Sequence, residues 1–303
     1  MIPCNVTFSK LNAAGNDFVC LDSTRGQYRE LLESDRLCSV VRRLCRRGLG
    51  VGADGVLFAE APHPGNGADI RARFMEPDGT EAELCGNGTA CFVYWALREG
   101  LISGSEVTVA TGAGHARAQL HPEYPDRVRV CIPDPSEIRL NRELEVKGQT
   151  WPLHSLVNGV PHAVGFVEDL ETLDVQHWGP GIRWHSEFAP RGINANFAQV
   201  LSEGHLAVRT YEFGVEGETL ACGTGAAAAA IVASLVLEWD EGYRLGEQPV
   251  HVDVRGGETL RVWFVVRRDT EVTDVCLETR VCDVYEGRIR HQFARRIADT
   301  LTP

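Results

Sequence analysis

The chain reads as an α/β protein of two pseudo-symmetric lobes, each a strand-rich, barrel-like sheet around a central buried helix. Three observations carry this reading. Residues 85–98 and 222–237 are apolar nearly all round, and a helix without a polar face is a buried helix. The approaches to these segments resemble each other. One runs Gly79-Thr80-Glu81-Ala82-Glu83-Leu84-Cys85-Gly86-Asn87-Gly88, the other Gly217-Glu218-Thr219-Leu220-Ala221-Cys222-Gly223-Thr224-Gly225. In both, a glutamate stands four residues before a Cys-Gly-x-Gly, and the two cysteines lie close to half the chain length apart. An internal duplication is the simplest account. Third, most of the remaining chain consists of short β-branched or alternating runs punctuated by turn residues, the pattern of strands.

In chain order, residues 30–46 carry apolar side chains at helical spacing and are followed by Gly48, predicting a surface helix. The helix over 85–98 stops at Glu99-Gly100. Strands are predicted over 107–110, 127–132 and 207–212. The stretch from Arg127 to Pro135, RVRVCIPDP, suits a crossover between lobes and divides the chain into 1–133 and 134–283. After the helix over 222–237, residues 251–254 and 259–266 flank Gly256-Gly257, a hairpin signal. One or two further strands fill 272–285.

Composition excludes several function classes. The 303 residues include 42 acidic and 30 basic side chains, a net charge of −12, with a pI near 5.3. Tracking a nucleic-acid backbone or an anionic membrane needs clustered positive charge, so neither partner is expected. The start of the chain lacks the basic and apolar regions of a secretory signal. The longest strongly apolar run, 226–237, is shorter than the ~20 residues a bilayer span needs. A soluble, cytoplasmic protein is expected.

Ten cysteines are present, none separated by only two residues, so zinc-ribbon and thioredoxin spacings are absent. Without a secretory context no disulfide framework is expected, and eight of the ten read as small buried hydrophobes. Cys85 and Cys222 do not. The segment Gly50-x-Gly52-x-x-Gly55 satisfies a dinucleotide fingerprint on paper. It follows the charged stretch 42–47 rather than a hydrophobic strand, and no helix follows it, so that context fails.

Placing Cys-Gly-x-Gly at a helix start has chemical consequences. The first backbone N–H groups of a helix lack internal partners, glycine lets a ligand approach them, and the helix dipole adds partial positive charge. Such a start suits a carboxylate and favours thiolate over thiol. Two such starts facing each other would hold one carboxylate between two thiols. One thiolate then removes the α-proton, the opposite thiol protonates the other face, and the N–H donors stabilise the developing charge. The scheme needs no pyridoxal phosphate and no metal. A single nucleophilic cysteine with a histidine leaves the second motif unused.

These residues resemble the diaminopimelate epimerase family, the cofactor-independent two-cysteine racemases and epimerases. The similarity spans nearly the whole chain. Lys10-Leu11-Asn12-Ala13-Ala14-Gly15-Asn16-Asp17-Phe18-Val19 is similar to the opening motif, and GLGVGADG, 48–55, to the glycine-rich turn. Pro161-His162 and Gly192-Ile193-Asn194-Ala195-Asn196-Phe197 match two later signatures, and the two cysteine segments match the remainder. The resemblance implies two α/β lobes joined at a cleft, with 284–303 returning to the first. It implies Cys85 and Cys222 as the acid/base pair, with Glu212 and His162 as supporting polar neighbours. Gly86, Asn87, Gly223 and Thr224 would cradle the reacting carboxylate, and Asn16 and Asn194 would contact substrate. Members often form homodimers, though no interface signal stands out here.

The chain departs from the family where the far end of diaminopimelate is held. The usual Asn-x-Asp-Gly is Glu76-Pro77-Asp78-Gly79, Gly-Asn-Pro-His is Gly159-Val160-Pro161-His162, and Glu-Arg-Gly is Glu212-Phe213-Gly214. Ala90 stands where an arginine is usual. Alone, Glu76 could be a solvated charge and Phe213 a packing residue. Together they remove the partner of a distal carboxylate and add a like charge. A carboxylate beside an aromatic face suits a basic or heteroaromatic side chain. The expectation is therefore an amino-acid racemase or epimerase for a basic or aromatic amino acid such as histidine. Diaminopimelate epimerase proper is the first alternative, and a non-catalytic amino-acid-binding protein is the alternative of another class. Proline-racemase-like enzymes share the two-cysteine logic but fit the surrounding motifs less well.

Overall fold

The computed structural model describes residues 6–82 and 85–290, and it divides the chain into two compact units. The first comprises residues up to Val130 with those from Arg280 onward, and the second is Cys131–Thr279. The division falls within the stretch read as the crossover.

The first unit contains β1 (Val6–Ala13), β2 (Asn16–Asp22), α1 (Arg29–Leu32), α2 (Leu37–Cys45), β3 (Gly55–Glu60), β4 (Ile70–Met75) and β5 (Glu81–Ala82). It continues with α3 (Gly86–Arg98), β6 (Glu106–Thr111), β7 (Gly114–Leu120) and β8 (Arg127–Cys131). Strands β1 and β2 form a hairpin closed by Ala14-Gly15, both at positive φ (51° and 90°), as a two-residue turn of right twist requires. Strand β3 joins β2 in parallel and β4 joins β3 antiparallel. Strand β6 then pairs parallel with β4, while β7 pairs antiparallel with β6 and β8 antiparallel with β7. Helix α3 packs against β1, β2, β3, β4 and β7. Its Cys91, Phe92 and Val93 have no exposed surface and meet Phe18, Leu57 and Val109 in one core. Burying each large side chain there contributes ~1.5–3 kcal/mol.

The second unit contains β9 (Ser136–Val146), β10 (Gln149–Asn158), β11 (Val160–Phe166), α4 (Val175–Arg183), β12 (Asn194–Ser202), β13 (His205–Glu212) and β14 (Gly217–Thr219). It continues with α5 (Gly223–Val236), α6 (Glu241–Arg244), β15 (Val250–Val254), β16 (Thr259–Arg268) and the first part of β17 (Glu271–Ile289). The pairing repeats that of the first unit step for step. Strands β10 and β11 form a hairpin, β12 joins β11 in parallel after a helical excursion, and β13 joins antiparallel with the short β14 beside it. The buried helix follows, then β15 parallel to β13, β16 antiparallel to β15, and β17 antiparallel to β16. One topology used twice in the same order supports the duplication read from the two cysteine segments. Helix α5 packs against β10, β11, β12, β13, β15 and β16. Residues 226–230 are all alanine without exposed surface, small enough for strands to close around the helix.

Three expectations are corrected, concerning the helix over 30–46, the absence of disulfides and the burial of the cysteines, while the stretch 272–285 forms a strand as expected. The helix expected over 30–46 is broken into α1 and α2, because Ser34 turns the chain. Its hydroxyl donates to Leu31 O at 2.8 Å and its carbonyl accepts from Leu37 N–H at 3.1 Å. Residues 272–285 form part of one continuous strand, β17, whose residues from Val281 pair with β1. Of the returning segment 284–303, residues 291–303 lie outside the described residues. Finally, Cys131 and Cys276 form a disulfide, their Cα atoms 4.0 Å apart on β8 and β17. Cys38 and Cys282 are exposed rather than buried.

The glycine-rich turn 48–55 has a structural role. A Cβ on Gly50 would lie 2.0 Å from Arg43 O, so the turn must pass this close to the end of α2. The turn is pinned by Asp17, whose carboxylate pairs with Lys10 at 2.9 Å and with both terminal nitrogens of Arg47 at 2.9 and 2.6 Å, while Lys10 also donates to Gly52 O. Burial raises the Asp17 pKa, but Arg47 and Lys10 outweigh it and hold the carboxyl at about 2.

Candidate active site

Both buried helices begin in the same way. Cys85 is the N-cap of α3 with extended backbone (φ −134°, ψ 118°), and Cys222 is the N-cap of α5 with φ −125°, ψ 106°. An N-cap side chain projects over the helix's unpaired N–H groups. Cys85 Sγ accepts from Gly88 N–H at 3.4 Å, an interaction that favours thiolate. Gly86 and Gly223 are the first helical residues, leaving backbone N–H groups uncovered by side chains.

In the first unit Asn87 follows Gly86 and is buried, 3% exposed. Its amide donates to Asn16 Oδ1 at 2.8 Å, tying the helix start to the first residue of β2. Cys85, Asn87 and Asn16 therefore form one group. Glu76 is half-buried in the turn between β4 and β5, where its N–H and C=O are used by Thr80 and Gly79.

In the second unit a hydrogen-bonded chain stands behind the sulfur. Thr224 Oγ1 lies 3.6 Å from Cys222 Sγ and 3.0 Å from His162 Nε2. The other ring nitrogen of His162 faces Asn196 Nδ2 at 3.2 Å, and that amide also donates to Ala163 O at 2.8 Å. Asn196 Oδ1 accepts from Thr210 at 2.9 Å. These partners fix the amide orientation, so His162 Nδ1 is an acceptor and Nε2 carries the proton toward Thr224. Thr224 can pass its own proton toward the sulfur. Asn158, with no exposed surface, donates to Thr224 O at 2.8 Å and anchors the same residue. Strand register builds the cluster: His162 pairs with Asn194, Val164 with Asn196, and Asn196 with Thr210. Asn158, Asn196 and Thr210 were not singled out from sequence. Only Asn196 stood inside a recognised motif.

Asn194 is 2% exposed and serves two backbone groups. It donates to Pro161 O at 2.9 Å and accepts from Phe213 N–H at 2.7 Å. Its amide thereby braces the turn that carries Phe213. Glu212 ends β13 immediately before, half-buried. His162 thus reaches Cys222 through Thr224, while Asn194 and Phe213 form a second pair in this unit.

Burial pushes the His162 pKa down to about 3 from the ordinary 6.5. At neutral pH the imidazole is uncharged and acts as a hydrogen-bond donor rather than an acid. In the unfolded chain it gains a proton below pH 6.5, whereas in the folded chain it does so only near pH 3. Its contribution to stability is complete above pH 6.5 and is lost progressively toward pH 3. The difference in melting temperature between the wild type and His162→Gln should therefore change with pH below 6.5, the wild type falling more steeply. Parallel curves would show that His162 is not held neutral by burial.

Among the described residues no group of three His, Cys, Asp or Glu side chains is disposed to hold a metal ion, and no helix is long and apolar enough to cross a membrane.

A sequence profile described as diaminopimelate epimerase matches residues 8–135 and 155–274. The chain belongs to the diaminopimelate epimerase family. It is 39% identical over 288 residues to the diaminopimelate epimerase of Aquifex aeolicus, covering 94% of this chain and 98% of that protein. It is 36% identical over 298 residues to that of Methanocella arvoryzae, covering 95% and 98%. Among solved structures, the fold is similar to a Bacillus anthracis phenazine biosynthesis protein of the PhzF family, with a TM-score of 0.70, 16% identity and coverage of 94% of this chain and 99% of that one. It is also similar to a hydroxyproline epimerase of Agrobacterium vitis with bound trans-4-hydroxy-L-proline, with a TM-score of 0.65, 15% identity and coverage of 95% and 92%. Membership makes the chain an isomerase of the amino-acid epimerase class.

Proposed function

We propose that the protein inverts the α-carbon of an amino acid by proton transfer between two cysteines, Cys85 and Cys222, without a cofactor. The observation that carries this reading is the matching placement of a cysteine N-cap, in extended conformation, at the start of the central buried helix of each repeat. In this reading one thiolate removes the α-proton while the other thiol donates from the opposite face. The substrate carboxylate accepts from the uncovered N–H groups at Gly86, Asn87, Gly223 and Thr224, which meet the charge that builds up on it. The His162–Thr224 chain supplies a neutral donor toward Cys222, which favours its thiolate without adding a competing acid. Glu212 would support the cysteine pair as a polar neighbour, and Asn16 and Asn194 would contact the substrate.

For the substrate we propose a basic or aromatic amino acid such as histidine. The support is the combined change at Glu76, Val160 and Phe213, which replaces two amides and a guanidinium by a carboxylate, an isopropyl group and a phenyl ring. A second reading, diaminopimelate itself, is favoured by the identity to relatives of that name, 39% for Aquifex aeolicus. Solvent exchange separates them. The reduced protein, without added cofactor, is offered diaminopimelate and L-histidine, L-lysine, L-arginine and L-phenylalanine in deuterated water. Deuterium at Cα of the single amino acids supports the first reading, and exchange confined to diaminopimelate supports the second. Exchange in none would favour a binding protein over an enzyme acting on this panel.

A further inference from the structure

Asn158, the last residue of β10, has no exposed surface, and its amide is only half matched. Nδ2 donates to Thr224 O at 2.8 Å, whereas among the described residues Oδ1 meets no donor. A buried carbonyl oxygen without a donor is unfavourable. An apolar side chain would avoid that penalty, and the corresponding strand of the first unit, β1, does end on one, the fully buried Ala13. Stability alone therefore does not account for an amide at position 158. What the amide provides is the bond to Thr224.

Thr224 is held by both strands of one hairpin. Asn158 pairs with Val160 around Gly159, whose φ of 88° makes the turn, and His162 follows two residues later. The β10 side holds the Thr224 carbonyl through Asn158, and the β11 side holds its hydroxyl through His162 Nε2 at 3.0 Å. Because His162 donates to Oγ1, the hydroxyl proton is free to face Cys222 Sγ, 3.6 Å away. A carbonyl inside a helix already accepts from the N–H four residues on. A second donor to it therefore adds little to α5 itself. It sets instead the spacing between the start of α5 and the hairpin that carries His162.

We infer that Asn158 is a positioning residue for proton transfer at Cys222. It fixes the start of α5 on the β10–β11 hairpin, so that the Thr224 hydroxyl, held by His162, donates to the sulfur. This rests on the two-thiol reading above and adds to it a residue that lies outside the hydrogen-bonded line from His162 to Cys222.

The test combines Asn158→Leu, Thr224→Val and the double variant. The pH dependence of iodoacetamide alkylation is followed separately at Cys222 and Cys85 by peptide mass spectrometry. α-Proton exchange with diaminopimelate and the four L-amino acids named above gives kcat and KM. Losing a hydrogen bond to a thiolate raises the pH at which the thiolate forms. Thr224→Val should raise the alkylation midpoint of Cys222 by about one pH unit, and Asn158→Leu should produce at least about half of that rise. Cys85, in the same molecule, should stay where it is. At neutral pH kcat should fall by about tenfold in Thr224→Val and by about threefold or more in Asn158→Leu, with KM changed less. Because Asn158 acts through Thr224, the double variant should be no worse than Thr224→Val. Should Asn158→Leu fail to fold, Asn158→Thr, whose hydroxyl is too short to reach the Thr224 carbonyl, should move the midpoint and kcat in the same directions. A lower melting temperature with the Cys222 midpoint and kcat unchanged would overturn the inference and leave Asn158 a packing residue. Equal shifts at Cys85 and Cys222, or additive effects in the double variant, would overturn it as well. Exchange absent from the wild type, or retained in Cys222→Ser, would overturn the two-thiol reading itself and this inference with it.

Discussion

Cys85→Ser and Cys222→Ser should each lose racemisation by at least ~10²-fold, the usual worth of a positioned acid or base. Serine keeps the size and N-capping ability of cysteine, so both helices should still start where they do. What it lacks is an acidity near neutrality. A hydroxyl beside Gly88 N–H, or beside Thr224, stays protonated where a thiol ionises. The paired result discriminates between mechanisms. If both thiols exchange protons with the α-carbon, the two variants fail alike in racemisation. If one cysteine were a nucleophile and the other a packing residue, only one would fail. Cys38→Ser is the control, since Cys38 is exposed and lies outside both helix starts, and it should keep full activity. Loss of activity in Cys38→Ser, or retention in either of the other two, would contradict the assignment.

The second large effect is expected at Gly225, and its counterpart Gly88 gives the contrast. A Cβ on Gly225 would lie 2.3 Å from Asn196 Oδ1, the atom that accepts from Thr210 in the hydrogen-bonded group behind His162. Gly225→Ala must push Asn196 aside, with an overpacking penalty of ~1–3 kcal/mol and a buried amide left with poorer partners. Both the melting temperature and the activity should drop. At Gly88 the nearest atoms are Cys85 Cβ at 3.3 Å, Cys85 Sγ at 3.4 Å and Phe18 Cε1 at 3.5 Å, a tight but adjustable fit. There the gain of about 1 kcal/mol from replacing a helical glycine by alanine offsets much of the crowding. Gly88→Ala should leave the melting temperature nearly unchanged while disturbing Cys85. Equal loss of stability in the two variants would show that the Asn196 network is not what Gly225 makes room for.

Sequence made the outline of this molecule legible because its strongest signals are local. A run of apolar residues without a polar face, as over 222–237, can only be an interior helix. Gly256-Gly257 between alternating runs marks the β15–β16 hairpin, and Gly257 has the positive φ that the turn uses. The repeated Cys-Gly-x-Gly pointed to both helix starts and to the duplication that the strand pairing repeats. Features made by register and distance were not legible. The group behind Cys222 takes Asn158, His162, Asn196 and Thr210 from four strands, and only their alignment shows that they meet. Cys131 and Cys276 are 145 residues apart in sequence and are brought together by neighbouring strands. Helix α4 carries Gly179, Pro180 and Gly181, which read as breakers. The structure uses the absent side chain at Gly179 to seat the Tyr211 ring, whose nearest atoms would be 2.5 Å from a Cβ. Arg183 sits beside the exposed Trp184 and in a polar stretch, so nothing local marks it as buried. Its partner Glu216 and the room left by Gly192 come together only on folding.

The most direct test of the two-thiol account is the first phase of the reaction in deuterated water, starting from a single enantiomer. With separate acid and base groups, the proton removed stays on one sulfur while a solvent deuteron is delivered from the other. The account predicts that the first product formed carries deuterium at Cα in nearly every molecule, while the remaining substrate stays protiated. Product that retains the original proton would mean that one group removes and returns it, contradicting the account.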